Sequence, residues 1–424
     1  MSDRKDIRWR LASNAVLVSL DDINLPRLWG QIVEGWMSSE PCYVLYRPGS
    51  RSGPMAVNAQ VRNLLRRFHH PMTFIEAVIR TARAENDNPH HTLKQLQPVV
   101  FGLIQRGILV QADAFRCDTA PATMHTLCTG SRFRDYVVKA TIRSLRDSEV
   151  YLIESVRDGM PCVLKIEGRH CEGTTGKQRI QQALLREFNV LNELREAPTC
   201  ELIEQGRWRG RVFGILSHVG FQHVQREAWR IRDEAGSDRA SRLSILQLFC
   251  ACLGVLEKVH AHGYLHGDIH PGNFLVDEVG EVRIVDFGGA QRIDRHGKGL
   301  LGHQGGVVHY LPPEVAADRI KGNCQTGWTI ASEIYAAAAL GYELLTGQRH
   351  LPSRMYKEDA LAQIVSTPAR TFARIGVAPW PDIERVLRKA LATKPSQRYS
   401  SVRSFRIALL RARSFTAKGG SSIA

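Results

Sequence analysis

YLHGDIHPGNFLVDEVGEVRIVDFGGA, residues 264–290, decides how this chain is read. It places Asp268, then Asn273, then Asp286 within Asp-Phe-Gly, and two short β-branched runs, FLV and VRIV, flank a Val-Gly turn between the last two. Such runs form a hairpin, so a carboxylate and a carboxamide stand at one end of it and a second carboxylate at the other. Hard divalent cations take oxygen ligands. Moving a phosphoryl group needs cations against the polyphosphate and a carboxylate that orients the attacking hydroxyl and accepts its proton. Asn273 and Asp286 are therefore candidate metal ligands, and Asp268 the candidate base. His-Gly-Asp or Asp-Phe-Gly alone is an ordinary turn sequence; the two at this spacing are more than turn chemistry explains.

The rest of the chain bounds where this element sits. With 424 residues, two or three domains are expected. Hydrophobic residues make up 43% and charged residues 23%, the profile of a soluble globular protein. None of the nine cysteines forms a CxxC pair, and Cys250 and Cys252 lie in a helical stretch, which argues against a zinc site or disulfide framework and for a reducing cytoplasm. The charged start MSDRKDIRWRLASNAVLVSL lacks a signal-peptide core. No apolar run is expected to span a bilayer, YAAAALGYELL being too short. A cytoplasmic protein without a membrane partner is expected. The formal charge of +15 is spread as single arginines among apolar residues, which sets nucleic acid aside as the weaker partner reading.

Residues 1–115 read as a small helical domain. NAQVRNLLRRFHH (58–70), TFIEAVIRTARAE (73–85) and TLKQLQPVVFGLIQRG (92–107) carry helical periodicity, a strand follows, and CYVLYRPGS (42–50) offers another. Three helices and a strand resemble a winged helix in pattern, here expected to dock a peptide or partner protein. The pairs His69-His70 and His90-His91 lack further ligands at metal spacing and read as surface or capping residues. A linker, 116–132, leads to β-rich runs at 135–144, 149–157 and 161–167, a helix at 177–196, and a hairpin at 201–208 and 211–220. The chain then turns helical to about Arg413, and 414–424 is expected to be disordered.

His266-Gly267-Asp268, Asn273 and Asp286-Phe287-Gly288 resemble the protein kinase superfamily, over roughly residues 130–413. The resemblance implies an α+β, two-lobed protein kinase-like fold, with a small β-rich N-lobe (133–220) and a large helical C-lobe (221–413). It implies ATP and Mg2+ as cofactors. Lys165 in VLKIE takes the place of the strand lysine that holds the phosphates, and Glu187 that of its helix partner. Val163 and Leu275 fall where apolar residues sandwich adenine, and Ser217 and Val219 are counted with them among the nucleotide-binding positions. Leu191, His266 and Phe287 fall in the packed column linking helix and cleft. Downstream, VVHYLPPEV (307–315) resembles the Ala-Pro-Glu element, SEIYAAAALGYELLTG (332–347) the buried helix under the catalytic loop, with Glu333 in place of Asp, and Arg398 the partner of Glu314.

Three departures stand out. ATIRSLRDSEVYLIE (140–154) has no glycine-rich phosphate loop, leaving Ser144, Arg146 and Ser148 as substitute donors. Gly267 replaces the arginine that anchors a phosphorylated activation segment, so constitutive activity or control by a partner is expected. His270, in HGDIHPGN, replaces a phosphate-contacting lysine and is similar to the loop of aminoglycoside and choline phosphotransferases; it either touches phosphate or shapes the loop. The leading expectation is an ATP-dependent Ser/Thr kinase acting on a protein or peptide hydroxyl. The alternatives are a small-molecule phosphotransferase and a pseudokinase nucleotide-binding scaffold.

Overall fold

A computed structural model of the chain describes residues 7–12, 15–19, 43–46, 55–105, 107–112, 126–144, 147–168, 173–220, 222–235, 239–302, 306–322, 326–352 and 357–418. The chain divides into two compact units, residues 1–181 with 206–215, and residues 182–205 with 216–424.

The first unit begins with helices Ala59–Arg67, Phe74–Glu85 and Pro89–Gln105. Asn58 caps the first, and Thr73 and Glu76 form a reciprocal capping box on the second. The third starts three residues before its sequence periodicity, because Pro89 suits a first helical turn. The strand after it, Leu109–Gln111, pairs with Arg8–Leu11, which in turn pairs with Met72–Thr73. A second small sheet joins Val16–Ser19, Tyr43–Tyr46 and Met55–Val57. Leu64, Phe68, Ala77, Val100 and Leu103 are fully buried in this part.

The linker expected over 116–132 ends earlier than its composition suggests. The Tyr151 hydroxyl accepts from the backbone N–H of Thr126, the Thr126 hydroxyl donates to Glu149 at 2.9 Å, and Leu127 lies in the sheet's core. That sheet runs Leu202–Trp208, Arg211–Ser217, Pro161–Glu167, Ser148–Ser155, Tyr136–Ser144, Arg132–Phe133. Its inner face packs Phe133, Val138, Tyr151, Ile153, Leu164, Ile166, Phe213 and Ile215. Two register shifts bend Tyr136–Ser144.

The second unit is built on helix Arg239–Ala261. By length and composition this helix could cross a membrane, which corrects the expectation that no such run exists. Its apolar residues belong to a protein core: Ile245, Leu246, Phe249, Leu253, Leu256 and Val259 are buried, and helices Val224–Ala235, Ile330–Thr346 and Val402–Lys418 pack around it. Against it, Ile330–Thr346 is buried along nearly its whole length. Gly341 permits the crossing, since a Cβ there would stand 2.2 Å from the Phe249 ring. The last helix runs to Lys418, so 414–418 is helical where disorder was expected. Residues 419–424 lie outside the described residues.

Candidate active site

The opening stretch forms the expected hairpin in the second unit, Phe274–Val276 against Val282–Ile284, with Phe274 opposite Ile284. Val285 N–H donates to the Asn273 carbonyl at 2.9 Å, which carries the ladder to the first site residue. Asn273 is buried, and its Nδ2 donates to the Asp268 carbonyl at 2.8 Å. The amide nitrogen is thereby engaged and the amide oxygen left as the donor atom toward a cation. Asp286 sits in the left-handed region at φ 68°, an unfavourable backbone for an aspartate, just before the turn Phe287–Gly289. A Cβ on Gly288 would stand 3.5 Å from Asp286 Oδ1 and 3.7 Å from Glu187 Oε2, so both carboxylates flank that glycine.

Asp268 is held from several sides. Its N–H donates to His266 Nδ1 at 3.2 Å, which puts the His266 proton on Nε2, where it donates to the Val285 carbonyl at 3.0 Å. His266 is fully buried and its ring lies 4.8 Å from that of Phe287, with Leu191 also buried. Burial lowers the His266 pKa, so the ring is a neutral strut. Burial alone would raise the Asp268 carboxyl; the hydrogen bond and charge of His270, aided by His266, outweigh it and keep the group below the usual carboxylate range. His270 caps the turn Pro271–Asn273, its Nδ1 accepting from Gly272 N–H at 3.0 Å, and its Nε2 lies 3.5 Å from Asp268 Oδ2. It shapes the loop and faces the carboxylate.

Beneath the loop, Glu333 is fully buried. One of its oxygens accepts from Gly267 N–H at 2.5 Å and the other meets His260 Nε2 at 2.6 Å. Gly267 has φ 79°, and a Cβ there would stand 2.2 Å from the Gly289 carbonyl oxygen. Glu314 and Arg398 form a two-pronged pair, Nη1–Oε1 2.8 Å and Nη2–Oε2 2.7 Å, and Ser332 donates to the same carboxylate. Sequence reading does not single out His260, because a histidine near a helix end carries no local signal of a buried partner 73 residues away.

The remaining positions are distributed as follows. In the first unit, Lys165 is buried in strand Pro161–Glu167 opposite Val150, and half-buried Val163 shares its face, opposite Leu152. Ser144 pairs with Glu149 and Ser148 with Glu167; the Ser144 hydroxyl is buried without a hydrogen-bond partner among the described residues. Arg146 lies outside the described residues. In the second unit, Leu275 and Val219 are half-buried. The Ser217 hydroxyl accepts from Glu201 N–H at 2.8 Å, so that oxygen serves the fold. His91 Nδ1 meets Asp87 at 3.0 Å at the start of its helix, while His69 and His70 are exposed.

The donor chemistry fits magnesium. Asp286 and Asn273 offer hard oxygens, and among the described residues no three His, Cys, Asp or Glu side chains cluster as a nitrogen- or sulfur-rich site would require. Phosphate oxygens and water would complete such a shell.

Comparison with known proteins agrees with this geometry. Residues 146–408 match the family model of the protein kinase domain, the match beginning beyond the first long strand, where the glycine pattern is missing. The chain is 26% identical over 222 residues to the serine/threonine-protein kinase PknA of Mycobacterium tuberculosis, 47% of this chain and 49% of that one. It is 32% identical over 178 residues to serine/threonine-protein kinase Pkn1 of Myxococcus xanthus (39% and 23%), and 28% over 167 residues to the probable serine/threonine-protein kinase PknB of Lactococcus lactis (38% and 24%). The aligned parts thus span from about a quarter to a half of these relatives. Members of the family use ATP and Mg2+. With its catalytic-loop, Asp-Phe-Gly and Pro-Pro-Glu elements assembled as described, the chain belongs to the protein kinase domain family.

Proposed function

We propose that the protein transfers the γ-phosphate of ATP to a serine or threonine hydroxyl of a protein or peptide. The observation that carries this reading is the catalytic loop itself, in which Asn273 Nδ2 holds the Asp268 carbonyl while the Asp268 carboxylate stays ionised beside His270. Asp268 orients the acceptor hydroxyl and receives its proton. Asn273 and Asp286 hold magnesium, which when bound neutralises the phosphates. Lys165 contacts the phosphates, and Val163, Leu275, Val219 and the backbone at Ser217 contact the base. Ser144 and Ser148 supply donors that glycine-loop amides give elsewhere.

A small-molecule acceptor is the second reading, favoured by His270 within HGDIHPGN. The Glu314–Arg398 pair and the element it supports favour a peptide acceptor, as do the relatives' names. Control by activation-segment phosphorylation has no foothold. From Phe287 to Pro313 there is no serine or threonine, and the one tyrosine, Tyr310, is buried and bonded to Glu343. Residues 1–115 are read as the docking module, and a cytoplasmic location fits the unbridged thiols at Cys128, Cys162, Cys250 and Cys252. The test is transfer from labelled ATP to peptides and to a panel of sugars and amines: label on serine or threonine supports the kinase reading, and label on a small molecule alone rejects it.

A further inference from the structure

His270 faces Asp268, and a path of further nitrogen groups leads away from it, while three carboxylates on the neighbouring elements are engaged. Strand Gln222–His223 pairs with Leu275–Val276 and brings His223 beside Gly272, two residues after His270. Beyond His270, whose ring lies 6.3 Å from that of Tyr310, the residue before that tyrosine, His309, accepts from Arg349 Nη1 at 2.7 Å. Arg370 donates to the Arg349 carbonyl at 2.7 Å, which fixes the loop carrying it.

Three carboxylates on the neighbouring elements have their own partners. Glu343 accepts from the Tyr310 hydroxyl on one oxygen and from Gln225 on the other, and is 8% exposed. Glu227 is held by Gln222 and Arg230. Glu314 is held by Arg398. Arg349, in contrast, leans on a neutral group, because a histidine nitrogen that accepts from a guanidinium carries no proton. Burial, with Arg349 and His350 beside it, lowers the His309 pKa to about 3. Among the described residues no carboxylate comes within 4.0 Å of Arg349. A half-buried guanidinium without a counter-ion is stabilised by an anion arriving from solvent.

Resting on the kinase reading above, we propose that Arg349 selects acceptor segments with aspartate or glutamate flanking the phosphorylated hydroxyl. An extended peptide advances about 3.3 Å per residue, so a residue a few positions from the acceptor spans the path from Asp268 past His270 and Tyr310 to His309 and Arg349. An arginine-flanked segment meets like charge there.

The test uses the full chain, ATP with Mg2+, and three serine peptides of equal length flanked by acidic, alanine or basic residues. The acidic peptide is expected to exceed the basic one in kcat/KM by about tenfold or more, the scale of one charge-assisted contact. Arg349→Glu and, separately, Arg349→Gln are expected to shrink or invert that ratio. Two variants are used so that misfolding of one does not decide the outcome. Equal rates on acidic and basic peptides, or a basic preference, overturn the specificity and leave the kinase reading standing. Transfer to small molecules with none to any peptide overturns both.

Discussion

A Cβ placed on Gly267 would stand 2.2 Å from the carbonyl oxygen of Gly289, a separation no side chain tolerates. The catalytic loop and the segment after Asp286 thus approach backbone to backbone. This explains in steric terms why the position that carries arginine in phosphorylation-switched kinases is glycine here.

Gly267→Ala is expected to cost roughly 2–5 kcal/mol, the left-handed backbone penalty added to the clash. Thermal denaturation measures it. Gly267→Arg is expected to be worse and to confer no dependence on phosphorylation.

Glu333 ties that loop to the core through Gly267 and His260. Removing the carboxylate leaves a buried N–H and a half-buried imidazole without this partner, so Glu333→Ala should lose about 3–5 kcal/mol. Glu333→Asp, one methylene shorter, should keep the fold while lowering kcat more than it changes KM, because it moves the loop and leaves the acceptor surface. Urea denaturation with steady-state kinetics separates the two effects.

Arg398→Ala strands the Glu314 carboxylate and should destabilise by a similar 3–5 kcal/mol. Arg398→Lys restores the charge but not the two-pronged geometry and should recover only part of it. Chemical denaturation of the two variants checks the order.

Acid stability reports on His350, which is buried against the Tyr335 hydroxyl. Burial first, then Arg370 and Arg349, lowers its pKa from 6.5 to about 3. The folded protein keeps the ring neutral while the unfolded chain takes up a proton below about pH 6.5, so stability falls as pH drops from there toward 3. His309, also lowered to about 3, acts in the same direction. Each contributes a slope of about 1.4 kcal/mol per pH unit. Urea denaturation between pH 7.5 and 5 should show a shallower slope in His350→Gln than in the native chain.

Because residues 287–313 offer no serine or threonine, phosphatase treatment of purified protein should leave its initial rate unchanged. A lag abolished by preincubation with ATP is the contrary result.

The catalytic loop is legible in sequence because its constraint is local: Asp268, Asn273 and Asp286 keep hairpin spacing. Glu314 and Arg398 are legible despite lying 84 positions apart because each sits in its own short motif. Elements set by tertiary contact are not. Arg8–Leu11 is too short for its alternation to announce a strand, and it forms because Met72–Thr73 and Leu109–Gln111 flank it. Thr126 looks like linker until Glu149 and Tyr151 bind it. Helix Arg239–Ala261 carries the apolar length of a membrane span because the core around it is large. His270, His309 and Arg349 come from three separate stretches, which composition records only as scattered basic residues.

The central claim is tested most directly by transfer of labelled γ-phosphate from ATP with Mg2+ to a serine peptide, by the native chain, Asp268→Asn and Asp286→Ala. The account predicts transfer by the native chain and a loss of at least about a hundredfold in both variants, with unchanged thermal unfolding. Native-like turnover in Asp286→Ala would contradict it.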